Sequence, residues 1–461
     1  MRKTVGPCRE YAADRKWAGM SSILIQGADV LQCESDDCEV LRRHDILISG
    51  NRIEAVVASG TLAVDPKTGV IPANGLLAMP GLINTHAHTP MAIFRGLAED
   101  VDIETWFNEY IWPLESNLTP DDVYWGMQLG LAEMISAGVT SVADHYFNAD
   151  RAAEAVTRAG TRAALGWAVF GDQGDAGIRQ TVAFAEEYSG AAGGRVTTWL
   201  APHAPYTCDE AFLSAIALEA ERLDLGVHIH AAETVGQTEA SVAAHGRTPI
   251  RVLADAGVLE RPTILAHCCG ATPDDIELMA GLPCGVAHAP KTYLKLAMGA
   301  APVLALREAG VPVGLASDGP VSNNTLDILE SMRLMALVAK SEAEDPRRMT
   351  VAESLTVATR DSARVYGLPD DLGHVAPGFL ADIILLDMEG AHNQPVHDPT
   401  ASLVYSARAS DVRTVICDGR VLMRDRELLT LDLEEITARV AEGMERLSRR
   451  VPDSRIQLYR P

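Results

Sequence analysis

The chain has 461 residues, 47% hydrophobic and 22% charged, which is ample material for a large globular core. A net charge of −24 and a pI of about 4.9 disfavour phosphate backbones and anionic bilayers, so neither nucleic acid nor membrane is an expected partner. No apolar run approaches the roughly 18 residues that cross a membrane, and the acidity reads as that of a soluble chain.

Residues 1–20 carry Arg2, Lys3, Arg9, Arg15 and Lys16 without an apolar h-region, so they are expected to be a loose extension and not a secretory signal. Met20, just before the first strand-like run, is a possible alternative start. Ser22–Leu31 and His44–Val57 alternate like short strands, the latter around the turn Ser49-Gly50-Asn51. From there, short β-branched or apolar runs alternate with Ala/Glu/Leu-rich stretches of helical length. The expected strands are Leu77–Thr85, Val139–Tyr146, Arg162–Phe170, Val196–Pro202, Val227–Ala231, Thr263–His267, Gly285–His288 and Val311–Ser317. Asp122–Ala137, Arg151–Ala159 and Asp209–Leu223 are among the helices between them.

Eight βα units predict an α/β fold with a closed (β/α)₈ TIM-type barrel over residues 79–375. The alternative, an open doubly wound sheet, lacks a Gly-rich dinucleotide fingerprint after any strand. Near the C-terminus Ala381–Asp387 and Val412–Met423, with a turn at Asp418-Gly419, repeat the hairpin style of the N-terminus. Residues 21–78 and 376–432 are therefore expected to assemble a small β-sandwich domain from both ends of the chain. An amphipathic helix at Glu434–Arg449 and a tail fill 433–461. The eight cysteines include the pairs Cys33/Cys38 and Cys268/Cys269, and neither spacing is a zinc or disulfide pattern; reduced thiols in a cytoplasmic protein are expected.

The chemistry gathers at strand ends. In Gly81-Leu82-Ile83-Asn84-Thr85-His86-Ala87-His88, two histidines two apart point to one face of a strand and can bind one ion. For this pair alone, histidines bonded to backbone are nearly as good a reading. However, His228 and His230 end the fifth strand, His267 the sixth and Asp318 the eighth, and barrel active sites are built at that face. Of the fifth-strand pair, His230 lies nearer the strand's end and is taken as the ligand, with His228 as a packed or hydrogen-bonded residue.

The stretches around His86, His230, His267 and Asp318 resemble the amidohydrolase superfamily. Within it they resemble the 5-methylthioadenosine/S-adenosylhomocysteine deaminase group and its chlorohydrolase and triazine-deaminase relatives. The resemblance implies one divalent ion per subunit held by His86, His88, His230 and Asp318, with a water completing the shell. Zinc is the first choice, and iron or manganese also suits imidazole and carboxylate. The ion would lower the pKa of its water to give hydroxide. By the same resemblance Asp318 accepts that water's proton, Glu233 carries protons to the substrate ring, and His267 orients the hydroxide. An amine leaves poorly unless protonated, so the acid at Glu233 favours deamination over dechlorination. The plainer reading of Glu233 is a carboxylate at a helix start, stabilised by the dipole.

Substrate contacts are implied for Glu115, matching a glutamate that holds ribose hydroxyls, for His203, and for Arg179. Two departures stand out: Trp167 occupies the third-strand position of a second pocket arginine, and His288-Ala289-Pro290-Lys291-Thr292-Tyr293 replaces the usual seventh-strand run. They place an apolar stacking surface on the expected substrate side and weaken the case for S-adenosylhomocysteine. Trp106 and Phe107 are spaced for helix packing, with stacking on a base as the alternative.

The expected activity is hydrolytic deamination of an adenosine-type nucleoside by a homo-oligomer. The alternatives are an s-triazine hydrolase, a guanine or pterin deaminase, or a barrel kept for assembly alone. The full set of ligands plus Glu233 and His267 argues against the last.

Overall fold

The structure is a computed structural model and describes residues 22–34, 37–63 and 65–448. The expected N-terminal extension, Met20 and the tail after residue 448 lie outside the described residues. Eight strands follow one another in chain order around a parallel barrel: Leu82–Ala87, Val139–Tyr146, Arg162–Val169, Val196–Pro202, Val227–Ala231, Thr263–His267, Cys284–His288 and Val313–Leu315. Their residues are buried almost throughout, because the barrel interior covers one face and the helices cover the other. This double burial is why they read as continuous apolar runs.

The outer helices start where the sequence supplies caps. Thr119 and Asp122 form a reciprocal capping box at Pro120–Ser136, and Asp209 caps Glu210–Leu223. The last strand meets the first through polar groups. Ser317 N donates to Asn84 Oδ1 (3.0 Å), Thr85 Oγ1 to the Leu315 carbonyl (2.8 Å), and Asp318 N to the His86 carbonyl (3.0 Å). The barrel thus closes beside the residues expected to carry the chemistry.

The run expected as one strand, Leu77–Thr85, is two. Leu76–Pro80 pairs antiparallel with Ile383–Asp387 and parallel with Ser22–Glu34, and only Leu82–Ala87 enters the barrel. Gly81 is the joint: a Cβ there would lie 2.3 Å from Thr140 Oγ1, so only glycine lets the backbone pass this close. The expected boundary at residue 79 therefore falls inside a strand of the other sheet.

The small domain stands apart from the barrel sheet, as expected. Its strands form one nine-stranded sheet drawn from both ends of the chain. The sheet rolls until Arg52–Ala58 meets the segment before Ile383, with Ile53 N donating to the Phe379 carbonyl (2.9 Å) and Ala381 N to the Asn51 carbonyl (2.8 Å). Rolling lets one face enclose an apolar cluster that includes Ile25, Ile46, Ile48 and Ile383. Cys33 and Cys38 stand directly opposite in the Ser22–Glu34/Asp37–Ser49 hairpin and are disulfide-bonded, which overturns the expectation of reduced thiols for this pair. Cys208, Cys268, Cys269, Cys284 and Cys417 are free and buried.

The closing helix spans Leu433–Ser448 and packs on Pro120–Ser136, where Arg446 pairs with Asp122. No helix among the described residues is long and apolar enough to cross a membrane.

Candidate active site

At the C-terminal end of the barrel, His86, His88 and His230 bring ring nitrogens within 4.8 Å of one another. Backbone acceptors settle two tautomers. His88 Nδ1 donates to the His145 carbonyl (2.6 Å), and His230 Nδ1 donates to the His203 carbonyl (2.8 Å). A carbonyl only accepts, so in the neutral form each ring presents a lone pair at Nε2. Those two Nε2 atoms face each other at 3.1 Å. Two lone pairs at that distance repel, and a shared cation resolves the conflict. His86 Nε2 is buried with no hydrogen-bond partner and lies 3.4 Å from Asp318 Oδ1, as does His88 Nε2. Three imidazole nitrogens and a carboxylate oxygen are a donor set that suits a divalent ion such as zinc.

The surrounding electrostatics suit the same reading. Burial lowers His86 to about 4 and His267 to about 3, so both rings are neutral. Burial pushes the Asp318 carboxyl up, but the imidazole side chains of His86, His267 and His88 around it outweigh burial and hold it well below the ordinary carboxylate range, so the group is ionised. Ser322 Oγ donates to Asp318 Oδ2 at 2.6 Å and fixes the carboxylate plane. His267 stands with His86 and Asp318 in a second cluster of ligand-type atoms. His267 and Asp318 have φ of +81° and +61°, left-handed values that cost a non-glycine residue about 1–3 kcal/mol and are found where geometry serves function.

Glu233 follows the fifth strand and lines the same cavity. Burial raises its carboxyl to about 7, against a lowering hydrogen bond from Gln237, and nearby Asp318 raises it further. A carboxyl near 7 both holds and releases a proton at neutral pH. Glu115 also lines the cavity; burial raises it to about 8, and Tyr146 Oη donates to it at 2.7 Å.

Trp106, Phe107 and Trp112 come from one irregular helical stretch, residues 103–115, that roofs the cavity. Phe170 and His203 complete an aromatic wall, with ring centroids 4.7 Å apart. Trp106 Nε1 is buried without a hydrogen-bond partner.

The chain matches the model of the Amidohydrolase family over residues 77–422. The chain belongs to the amidohydrolase family. This amidohydrolase is 42% identical over 434 residues to a 5-methylthioadenosine/S-adenosylhomocysteine deaminase of Pelotomaculum thermopropionicum, covering 94% of this chain and 100% of the relative. Its fold is similar to that of an adenosine deaminase from Xanthomonas campestris with bound zinc, at TM-score 0.87 and 31% identity, over 92% of this chain and 98% of that one. An atrazine chlorohydrolase from Arthrobacter aurescens complexed with zinc is similar at TM-score 0.83 and 27% identity, over 92% of this chain and all of the other.

In this amidohydrolase, two expected substrate contacts stand elsewhere. Trp167 points out of the barrel and packs edge-on against Phe184 of helix Gly174–Tyr188, with centroids 5.9 Å apart. Strand alternation explains it, since Ala168 and not its neighbour lines the cavity. Arg179 lies on an exposed position of that same helix, outside the cavity. In the altered seventh-strand run, Thr292 lines the cavity while Lys291 turns away to Glu330 (2.7 Å).

Sequence reasoning missed His145 and Tyr146, which end the second strand. The strand-end rule that singled out His230, His267 and Asp318 applies equally there. It missed Gln237 and Ser322 because their partners, Glu233 and Asp318, give no sign in the sequence of which neighbour they contact.

Proposed function

We propose that this amidohydrolase hydrolytically deaminates a 6-aminopurine nucleoside, with zinc as its ion. The observation that carries the reading is the convergence of an ionised Asp318 and a proton-bearing Glu233 on one cavity beside three metal-type imidazoles. His86, His88, His230 and Asp318 would hold a divalent ion, which would lower the pKa of a water and so supply the nucleophile.

Asp318 accepts a proton from the attacking water as the new C–O bond forms at the amino-bearing ring carbon. Neutral His267 orients the attacking oxygen by a hydrogen bond. Glu233 protonates the adjacent ring nitrogen, the proton taken up by Asp318 passes to the exocyclic nitrogen, which leaves as ammonia, and the remaining hydroxyl proton returns to Glu233. One C–O bond forms, one C–N bond breaks, and the products are the oxo-heterocycle and ammonia. Glu115, largely protonated at neutral pH, both donates to and accepts from a vicinal diol. His203 and the aromatic wall hold the ring face.

The carboxyl groups of the cavity are Glu115, Glu233 and Asp318, of which Asp318 is fully and Glu233 partly ionised at neutral pH. A substrate carrying its own carboxylate meets repulsion there, which favours neutral nucleosides such as 5-methylthioadenosine over S-adenosylhomocysteine. The test is ammonia release from the zinc-loaded protein across adenosine, 5-methylthioadenosine, S-adenosylhomocysteine, guanine, pterins and triazines. Turnover highest on a neutral adenosine-type nucleoside is expected. Ammonia from none of them, or chloride from a chlorotriazine as the main product, overturns the reading.

A further inference from the structure

Each imidazole of the metal cluster has a second nitrogen that must be engaged. For His88 and His230 that nitrogen donates to a main-chain carbonyl. His86 is different. Its Nδ1 faces another ring, His228 Nε2, at 2.8 Å. A bond between two imidazoles needs one N–H and one lone pair. With Nε2 of His86 directed at Asp318 and the cation position, the proton of His86 sits on Nδ1 and is donated. His228 must then accept at Nε2 and carry its own proton on Nδ1.

The placement follows from strand geometry. His228 and His230 are two apart on Val227–Ala231 and point to the same interior face, with His228 one layer deeper in the barrel. Both His86 and His228 are fully buried, so water does not replace the bond if His228 is removed.

We infer that His228 is a positioning residue for the metal ligand His86. It holds His86 in the Nδ1-protonated tautomer that leaves Nε2 free for the ion. The inference rests on the metal-centre reading of the cluster but not on any substrate. Outer hydrogen bonds of this kind commonly change metal affinity by about 10–100-fold when removed. His228 would do the work that a carboxylate or carbonyl often does, without adding a charge to the barrel interior.

The test is zinc affinity by chelator competition, with elemental analysis of the purified protein. His228→Phe keeps a ring of similar size but removes the acceptor, and His228→Gln returns an acceptor oxygen at similar reach. The expected result is zinc binding about 10–100-fold weaker in His228→Phe and largely restored in His228→Gln. Wild-type affinity in a folded His228→Phe overturns the role, as does a folded His228→Gln no better than His228→Phe. If His228→Phe does not fold, nitrogen-15 long-range correlation spectra of the zinc-loaded wild type decide. A neutral His228 protonated at Nδ1 supports the inference, and protonation at Nε2 overturns it. Failure of every nucleoside to turn over, with zinc affinity behaving as expected, would sink the substrate reading and leave this one standing.

Discussion

At the residue scale, two buried carboxyls with raised pKa values carry the chemistry and the pH response. Glu233→Gln removes the proton carrier but leaves the metal-type residues in place. Its kcat is expected to fall by about 10²–10⁴-fold with zinc content unchanged by elemental analysis. Since Glu233 titrates at about 7, the proton it donates is lost above that pH, and kcat/KM should decline as pH rises through about 7. A wild-type profile flat across that region would contradict the assignment. Glu115 makes a stability statement. Its folded pKa of about 8 exceeds the ordinary 4.5, so between those values the folded state holds a proton that the unfolded state has released. Its contribution is therefore fully present below about 4.5 and is lost as pH rises through about 8. Glu115→Gln should flatten the fall of Tm over about pH 5–8, measured by thermal denaturation, and an unchanged slope would refute the shift.

At the scale of elements, the site is built from strand ends and one roofing stretch. Period-two alternation sends Ala168 inward and Trp167 outward on the third strand, so two tryptophans the sequence placed together have different jobs. Trp106, at the cavity roof, should matter for substrate binding. Trp106→Ala is expected to raise KM roughly 10-fold, the equivalent of about 1.4 kcal/mol, with a smaller change in kcat. Trp167→Ala should leave KM unchanged and lower Tm, because it removes packing between strand and helix. Steady-state kinetics on both variants check the contrast, and an equal rise in KM for the two would show that Trp167 reaches the substrate after all.

At the scale of the whole molecule, the small sheet is tied to the barrel by a buried ionic knot. Arg162, on the third barrel strand, is bidentate to Asp382 (3.0 and 3.1 Å) and reaches Asp418 at 2.6 Å. Arg162 and Asp382 are both buried, so removing one partner strands the other's charge. Arg162→Met is expected to destabilise the protein by about 3–5 kcal/mol. Chemical denaturation would measure it, and a loss under about 1 kcal/mol would show that the two parts are held by apolar packing alone. The metal-type cluster stands at the opposite, C-terminal end of the barrel, so this variant should retain zinc where it folds.

Much of this was legible in the order of residues, for physical reasons. Strands buried on both faces must be apolar runs, and helices that cover them must repeat with the helical period, so the eight βα units could be read directly. Ligand-type residues at the ends of those runs then pointed to one face. What the linear order could not carry was everything set by contacts across about 230 positions, such as that between His86 and Asp318. Gly81 looked like part of a strand until Thr140 closed over it, and Cys33 met Cys38 only through the register of a hairpin. Arg179 is chemically suited to a pocket and sits on a solvent face, and His228 is indistinguishable in sequence from a filler histidine. Residue type and period determine which elements form and which side chains are able to react. Only packing in three dimensions decides which neighbour each polar atom finds, because a hydrogen bond depends on position and direction and not on separation along the chain.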